Sequence, residues 1–99
     1  QVGGPTSAAQ IADALLKIAQ RVTEPNFANW GIYHFSGAPF VSWYEFATEI
    51  LKDNPAVTVS PIASSGYPTP AKRPANSRLN CDKIKNIFGI EQPDWRHDL

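Results

Sequence analysis

Nine prolines punctuate this chain, and their spacing restricts every regular element to a short stretch. Proline fixes φ and lacks a backbone N–H, so neither a long helix nor a central strand crosses one. Gly3, Gly4 and Pro5 keep residues 1–6 extended. Thr6 or Ser7 can then cap a helix over Ser7–Val22, with Ala8, Ile11, Ala12, Leu15, Leu16, Ile18, Ala19 and Val22 mostly on one face. Gln10, Asp13, Lys17 and Arg21 lie off that face, and Pro25 ends the helix. Trp30–Ser36 is rich in strand formers between Asn29 and Gly37 and predicts a strand of about five residues. Ser42 and Glu45 make an S-x-x-E capping box for a second helix, whose stripe is Trp43, Phe46, Ala47, Ile50 and Leu51 before Asn54 and Pro55. Val57, Val59 and Ile62 suggest a second strand, so strand, helix and strand form a right-handed parallel βαβ unit.

Residues 63–78 break that rhythm. Ser64, Ser65, Gly66, Pro68, Pro70 and Pro74 exclude regular structure over a length unusual inside a compact domain, and ordered loops of this length tend to be functional. A short helix from Asn80 to Phe88 follows, buries Ile84, Ile87 and Phe88, and ends at Gly89. Pro93 suits the first position of a last helix near Asp94. The fold class expected is α/β: a small βαβ unit with flanking helices and a long proline-rich loop.

Composition narrows the function classes. Nine Lys+Arg balance nine Asp+Glu, so bulk charge gives no support to binding nucleic acid or an anionic membrane. Apolar residues make up 42% and charged residues 18%, enough for a core and too little charge for a disordered chain. No apolar run reaches the roughly 20 residues that span a bilayer. Cys81 is alone, which excludes an internal disulfide and is compatible with a reducing, cytoplasmic setting. With no methionine, a start at Gln1 and a last helix cut at Leu99, the chain is expected to be a piece of a longer protein.

Self-contained enzyme motifs are absent: no glycine-rich phosphate loop, no G-x-S-x-G, no H-E-x-x-H and no paired cysteines. His34 reads as a strand histidine, His97 as a surface residue, Cys81 as a small half-buried residue, and Glu45 as half of its capping box. Trp30, Trp43 and Trp95 read as core or interface anchors. The informative segment is Tyr67-Pro-Thr-Pro-Ala-Lys-Arg-Pro-Ala-Asn-Ser-Arg-Leu79. Its prolines stiffen the backbone and present Thr69, Lys72, Arg73, Asn76, Ser77 and Arg78 at little ordering cost. Three cations beside an amide and a hydroxyl could grip a phosphorylated ligand, the arginine fork matching phosphate oxygens. Equally, the segment could be a strap over the core whose cations face water. A ligand for an SH3-like partner is disfavoured, because Pro70-Ala-Lys-Arg-Pro74 misses the P-x-x-P spacing.

Together, Gln1-Val-Gly-Gly-Pro-Thr6, Ile11-Ala-Asp-Ala-Leu15, Gly31-Ile-Tyr-His-Phe-Ser-Gly37, Ser42-Trp-Tyr-Glu-Phe-Ala47, Tyr67-Pro-Thr-Pro70, Arg73-Pro-Ala-Asn-Ser-Arg-Leu79 and Pro93-Asp-Trp-Arg96 carry a resemblance. The chain resembles the C-terminal part of the dTDP-4-dehydrorhamnose reductases, extended short-chain dehydrogenase/reductases, along nearly its whole length. That family reduces dTDP-4-dehydro-L-rhamnose with NADPH or NADH, the final step toward dTDP-L-rhamnose for bacterial surface polysaccharides. The resemblance implies a substrate-binding domain over 1–99, inactive alone, whose partner is a missing N-terminal Rossmann half. That half would carry the cofactor-binding turn and the Tyr-x-x-x-Lys pair, so no catalytic or cofactor residue, and no metal ligand, is assigned here. By similarity, Arg73 is the first candidate for the diphosphate and Asn76 for a sugar or ribose hydroxyl. Gln1, Pro5 and Thr6 resemble the loop at the substrate mouth, Ser77 is a further binding candidate, and Lys72 takes a rim role. The family's first segment typically has Asp ahead of the Gln, so the chain starts one residue inside that motif. Another role on the same scaffold is a non-catalytic regulatory or binding subunit. An apolar face exposed without the Rossmann half could drive self-association.

Overall fold

A computed structural model describes residues 1–99. Its elements are β1 (Val2–Gly3), α1 (Ala8–Val22), β2 (Val41–Ser42), α2 (Trp43–Ile50) and α3 (Asp82–Phe88), with 3₁₀ turns at Ser64–Gly66 and Trp95–Asp98. β1 and β2 pair antiparallel with Val2 opposite Ser42 and Gly3 opposite Val41. Single parallel bridges join Val2 to Asn76 and Ala38 to Asp94.

The helices form where their caps place them. Ser7 accepts the N–H of Gln10 at 3.1 Å and starts α1. Ser42 accepts the Glu45 N–H at 3.1 Å while Glu45 accepts the Ser42 N–H at 3.1 Å, completing the capping box of α2. Ser42→Ala should therefore weaken α2 by about 1 kcal/mol with little change in ligand affinity, because the hydroxyl is already committed to the cap. Paired melting and titration curves check this: a tenfold affinity loss at unchanged stability would make Ser42 a ligand contact. Asn80 Oδ1 accepts the Asp82 N–H at 2.9 Å ahead of α3. Gly89 closes α3 in the left-handed region at φ 68°, where a Cβ would be strained.

The core is small. Ala14, Cys81, Ile84 and Ile90 are buried, and Ile18, Tyr33, Phe35 and Phe88 pack against them. Cys81 is thus a small core residue, with Sγ 3.8 Å from Ser36 Oγ. Trp95 is buried separately against Phe46, ring centroids 5.1 Å apart, and donates Nε1–H to the Pro39 carbonyl at 2.8 Å. A compact chain of this length has a radius of gyration near about 13 Å; this one has 16.8 Å and extends over 55 × 30 × 20 Å. The apolar faces are accordingly half covered: on α1, Leu15 and Leu16 stay 60% and 65% exposed. No helix is long and apolar enough to cross a membrane.

Three expectations need correction. Trp30–Ser36 has a bend at Gly31 and joins no ladder, and Val57–Ile62 is irregular, so the parallel βαβ unit is not formed. A strand needs a neighbour's backbone groups, and no segment of this chain offers them alongside either stretch. His34 is accordingly an exposed residue of a segment outside any strand. Trp30 and Trp43 are 68% and 65% exposed and so are not core anchors, which of the three only Trp95 is. Lastly, the terminal helix is a 3₁₀ turn capped by Asp94, with Pro93 outside it. There Arg96 pairs with Asp94 at 2.6 Å and holds its carboxyl at about 2. That contribution is complete above the ordinary carboxylate pKa and is lost as pH falls toward about 2.

Candidate functional site

The N-terminal segment crosses between the proline loop and the start of α2, and its backbone is held on both sides. The Val2 N–H donates to Ala75 O and the Ser77 N–H donates to Val2 O, each at 2.8 Å. On the far side lies the β1–β2 pair. Thr6 fixes the end of the segment: its Oγ1 donates to Gly4 O at 2.9 Å and accepts the Gly37 N–H at 3.0 Å. Between these anchors opens a cavity of about 430 Å³.

Five of the residues singled out from sequence line this one cavity: Gln1, Pro5, Thr6, Arg73 and Ser77. Asn76 does not. Its Oδ1 accepts from the N–H and the Nε–H of Arg78, both at 3.0 Å, so the amide shapes the turn instead. Ser77 Oγ donates to Val2 O at 3.2 Å. Gln1 accepts the indole N–H of Trp43 at 3.2 Å and donates to Ser64 Oγ at 3.5 Å. Lys72 is not among the residues that line this cavity.

Val41, Trp43 and Phe46 also line the cavity, and sequence reading did not single them out. Trp43 leads the apolar stripe of α2, and periodicity cannot separate a residue facing a cleft from one facing a core. The S-x-x-E box was a usable signal, since it fixes where α2 begins and hence where Trp43 sits.

The lining has one side chain with a fixed full charge, Arg73, and no carboxylate. Arg73 takes part in none of the chain's five ion pairs. Its guanidinium therefore has its donors free, while the hydroxyls of Thr6, Ser42 and Ser77 are engaged with backbone. Such a cleft can hold an anion; it contains no acid–base pair to move a proton. No group of three His, Cys, Asp or Glu that could hold a metal occurs. Gly3 and Gly4 precede α1, and a Cβ there would strike Ser77 Oγ and the Gly37 carbonyl, so both glycines are needed for the close packing of this segment on its neighbours.

Residues 1–99 match the family model described as RmlD substrate binding domain. The chain is 43% identical to a dTDP-4-dehydrorhamnose reductase of Aggregatibacter actinomycetemcomitans, over 100% of this chain and 36% of that protein. It is 33% identical to the spore coat polysaccharide biosynthesis protein SpsK of Bacillus subtilis, over 100% of this chain and 32% of that protein. A crystal structure of a dTDP-4-dehydrorhamnose reductase from Clostridium acetobutylicum superposes with a TM-score of 0.83 at 33% identity, covering 98% of this chain and 33% of that one. The chain thus spans about a third of the length of these relatives.

Proposed function

The chain belongs to the RmlD substrate binding domain family, and on that premise we propose that it is the sugar-nucleotide-holding part of an NADPH- or NADH-dependent dTDP-4-dehydrorhamnose reductase. Reduction of dTDP-4-dehydro-L-rhamnose belongs to the longer protein, and this part alone is inactive. The observation that carries the reading is the position of Arg73: a side-chain cation with no partner in the chain, on a cavity otherwise lined by glycines, hydroxyls, the Gln1 amide and apolar groups. In this reading Arg73 grips the diphosphate, and Gln1, Pro5 and Thr6 shape the mouth that admits the sugar. Ser77 holds the backbone of that mouth, and Asn76 holds the turn carrying Arg78. These groups orient the sugar nucleotide and exclude water around it. The nicotinamide and the proton donor are assigned to an N-terminal Rossmann half.

The same half supplies what two segments of this chain lack. Trp30–Ser36 and Val57–Ile62 become the parallel strands of a βαβ unit once neighbouring strands offer backbone partners. Leu15, Leu16 and Ile32 are exposed in the chain by itself, where they favour self-association.

Kinetics of the full-length reductase test the site. A charge-assisted bond from Arg is worth about 1.5–3 kcal/mol. Arg73→Ala should raise the KM for the dTDP-sugar by about 10- to 100-fold, and Arg73→Lys by less, since lysine keeps the charge and loses the fork. The KM for the nicotinamide cofactor should hold, and kcat should fall little if the contact is equal in ground and transition states. An unchanged sugar KM in Arg73→Ala beside a lowered melting temperature would refute the phosphate contact.

A further inference from the structure

The wall of the first cavity is the outermost of three segments lying side by side. Residues 4–6 rest on residues 36–38, and these rest on residues 92–95. The upper contact leaves no room for a side chain: a Cβ at Gly4 would strike the Gly37 carbonyl and come within 2.9 Å of Ser36 Oγ, and one at Gly37 would strike the Pro5 carbonyl. The 3.0 Å bond from the Gly37 N–H to Thr6 Oγ1 ties the wall down there. Across packing this close, a shift of residues 36 and 37 is passed on to Gly4 and Pro5, which line the cavity.

The lower contact is made by backbone at one end only. The Ala38 N–H donates to Pro93 O at 2.9 Å and the Trp95 N–H to Ala38 O at 3.2 Å, around the parallel bridge of Ala38 to Asp94. No backbone bond continues this pairing to Ser36 or Gly37, the two residues directly beneath the wall. A side chain takes over there. Gln92 Nε2 donates to Ser36 Oγ at 3.4 Å and to the Gly37 carbonyl at 3.5 Å. Ser36 is the chain's one buried polar residue, 5% exposed, and its Oγ otherwise meets only the adjacent Gly37 carbonyl at 3.4 Å and Cys81 Sγ at 3.8 Å. The Gly37 carbonyl receives no backbone N–H. Buried polar groups need partners, and the Gln92 amide is the donor that reaches both.

We propose that Gln92 is a positioning residue for the cavity: it holds Ser36 and Gly37 at the height that sets Gly4, Pro5 and Thr6 along the mouth. Gln92 lines neither this cavity nor a second one, of about 590 Å³, that shares Arg73 with it, so its effect on a ligand passes through the wall. The inference rests on the sugar-nucleotide reading above and adds a residue that acts without touching the ligand. A wall that is held less firmly fits the ligand less well, although every contacting side chain is still present. Gln92→Met keeps the length and bulk of the side chain and loses both N–H donors, which separates the amide's role from its packing.

Calorimetry on the full-length protein, with dTDP-L-rhamnose and NADPH as probes, reads this role. Gln92→Met should weaken dTDP-L-rhamnose by about three- to tenfold, the worth of an ordinary hydrogen bond, and leave NADPH within about twofold. Ser36→Ala removes one of the two acceptors and should weaken dTDP-L-rhamnose by about two- to threefold. The double variant should lie close to Gln92→Met alone, because both changes break one link. Effects that multiply would mean two independent roles and overturn the proposal, as would an unchanged dTDP-L-rhamnose affinity in Gln92→Met. A side chain that only stabilises the fold would lower the melting temperature and shift both ligands or neither, which also overturns it. The unaltered protein separates the two levels: no heat with dTDP-L-rhamnose there sinks the sugar-nucleotide reading and this inference with it, whereas equal heat there and in Gln92→Met sinks only the role of Gln92.

Discussion

Trp95→Ala is expected to remove about 3–5 kcal/mol of stability, enough to unfold much of a domain with so small a core. Trp95 is one of seven buried residues among 99. Two effects combine at this position. Truncation empties the space beside Phe46, whose ring lies 5.1 Å from the indole and whose other side lines the first cavity. It leaves the Pro39 carbonyl without the 2.8 Å bond it accepts from Nε1. The 3.2 Å bond from the backbone N–H of Trp95 to Ala38 O does not depend on the side chain and still ties the C-terminal turn to Ala38. Trp95→Phe keeps most of the packing and loses the indole donor, so a smaller loss of about 1–2 kcal/mol is expected. Chemical denaturation of both variants checks the ranking. A loss under about 1 kcal/mol for Trp95→Ala would mean that Phe46 and α2 hold their place without the indole.

Gly37→Ala should cost about 3 kcal/mol, the upper end of overpacking penalties, through backbone rather than side-chain collision. A Cβ at Gly37 would strike the Pro5 carbonyl oxygen and come within 3.2 Å of Pro93 O. Neither is the flexible end of a side chain, so the N-terminal segment itself must shift. That segment is the cavity wall, and Gly37 also donates the 3.0 Å bond that holds Thr6. Stability and sugar-nucleotide affinity should therefore fall together in the full-length protein. Gly66→Ala is the matched control: its Cβ would meet Ile62 at 3.7 Å, ordinary contact, and stability should change by no more than about 0.5 kcal/mol. Equal melting temperatures for the two variants would show that the Pro5–Gly37 approach tolerates a side chain.

Much of the local structure was legible because its causes are local. The cap of Ser7, the Ser42–Glu45 box and the glycine after Phe88 act over three or four residues, and each stands where the pattern placed it. The loop over 63–78 was legible for the same reason: prolines and glycines forbid regular structure whatever surrounds them. The candidate site was legible in part. Arg73, Gln1, Pro5, Thr6 and Ser77 were singled out by type and motif, and they do gather at one cavity.

Tertiary structure alone decided the rest. Whether Trp30–Ser36 becomes a strand depends on a neighbour that this chain does not supply, so strand propensity had nothing to pair with. Asn76 and Arg73 look alike as polar residues three apart on a stiff loop. One accepts bonds from its neighbour Arg78 and the other lines the cleft, beside the bridge of Val2 to Asn76. Trp43 and Trp95 are equally apolar in sequence, yet one is exposed on a cavity wall and the other is buried under it. Caps, breakers and charges are written residue by residue because they act through adjacent backbone groups; burial, pairing and the meeting of loops depend on residues brought together from across the chain.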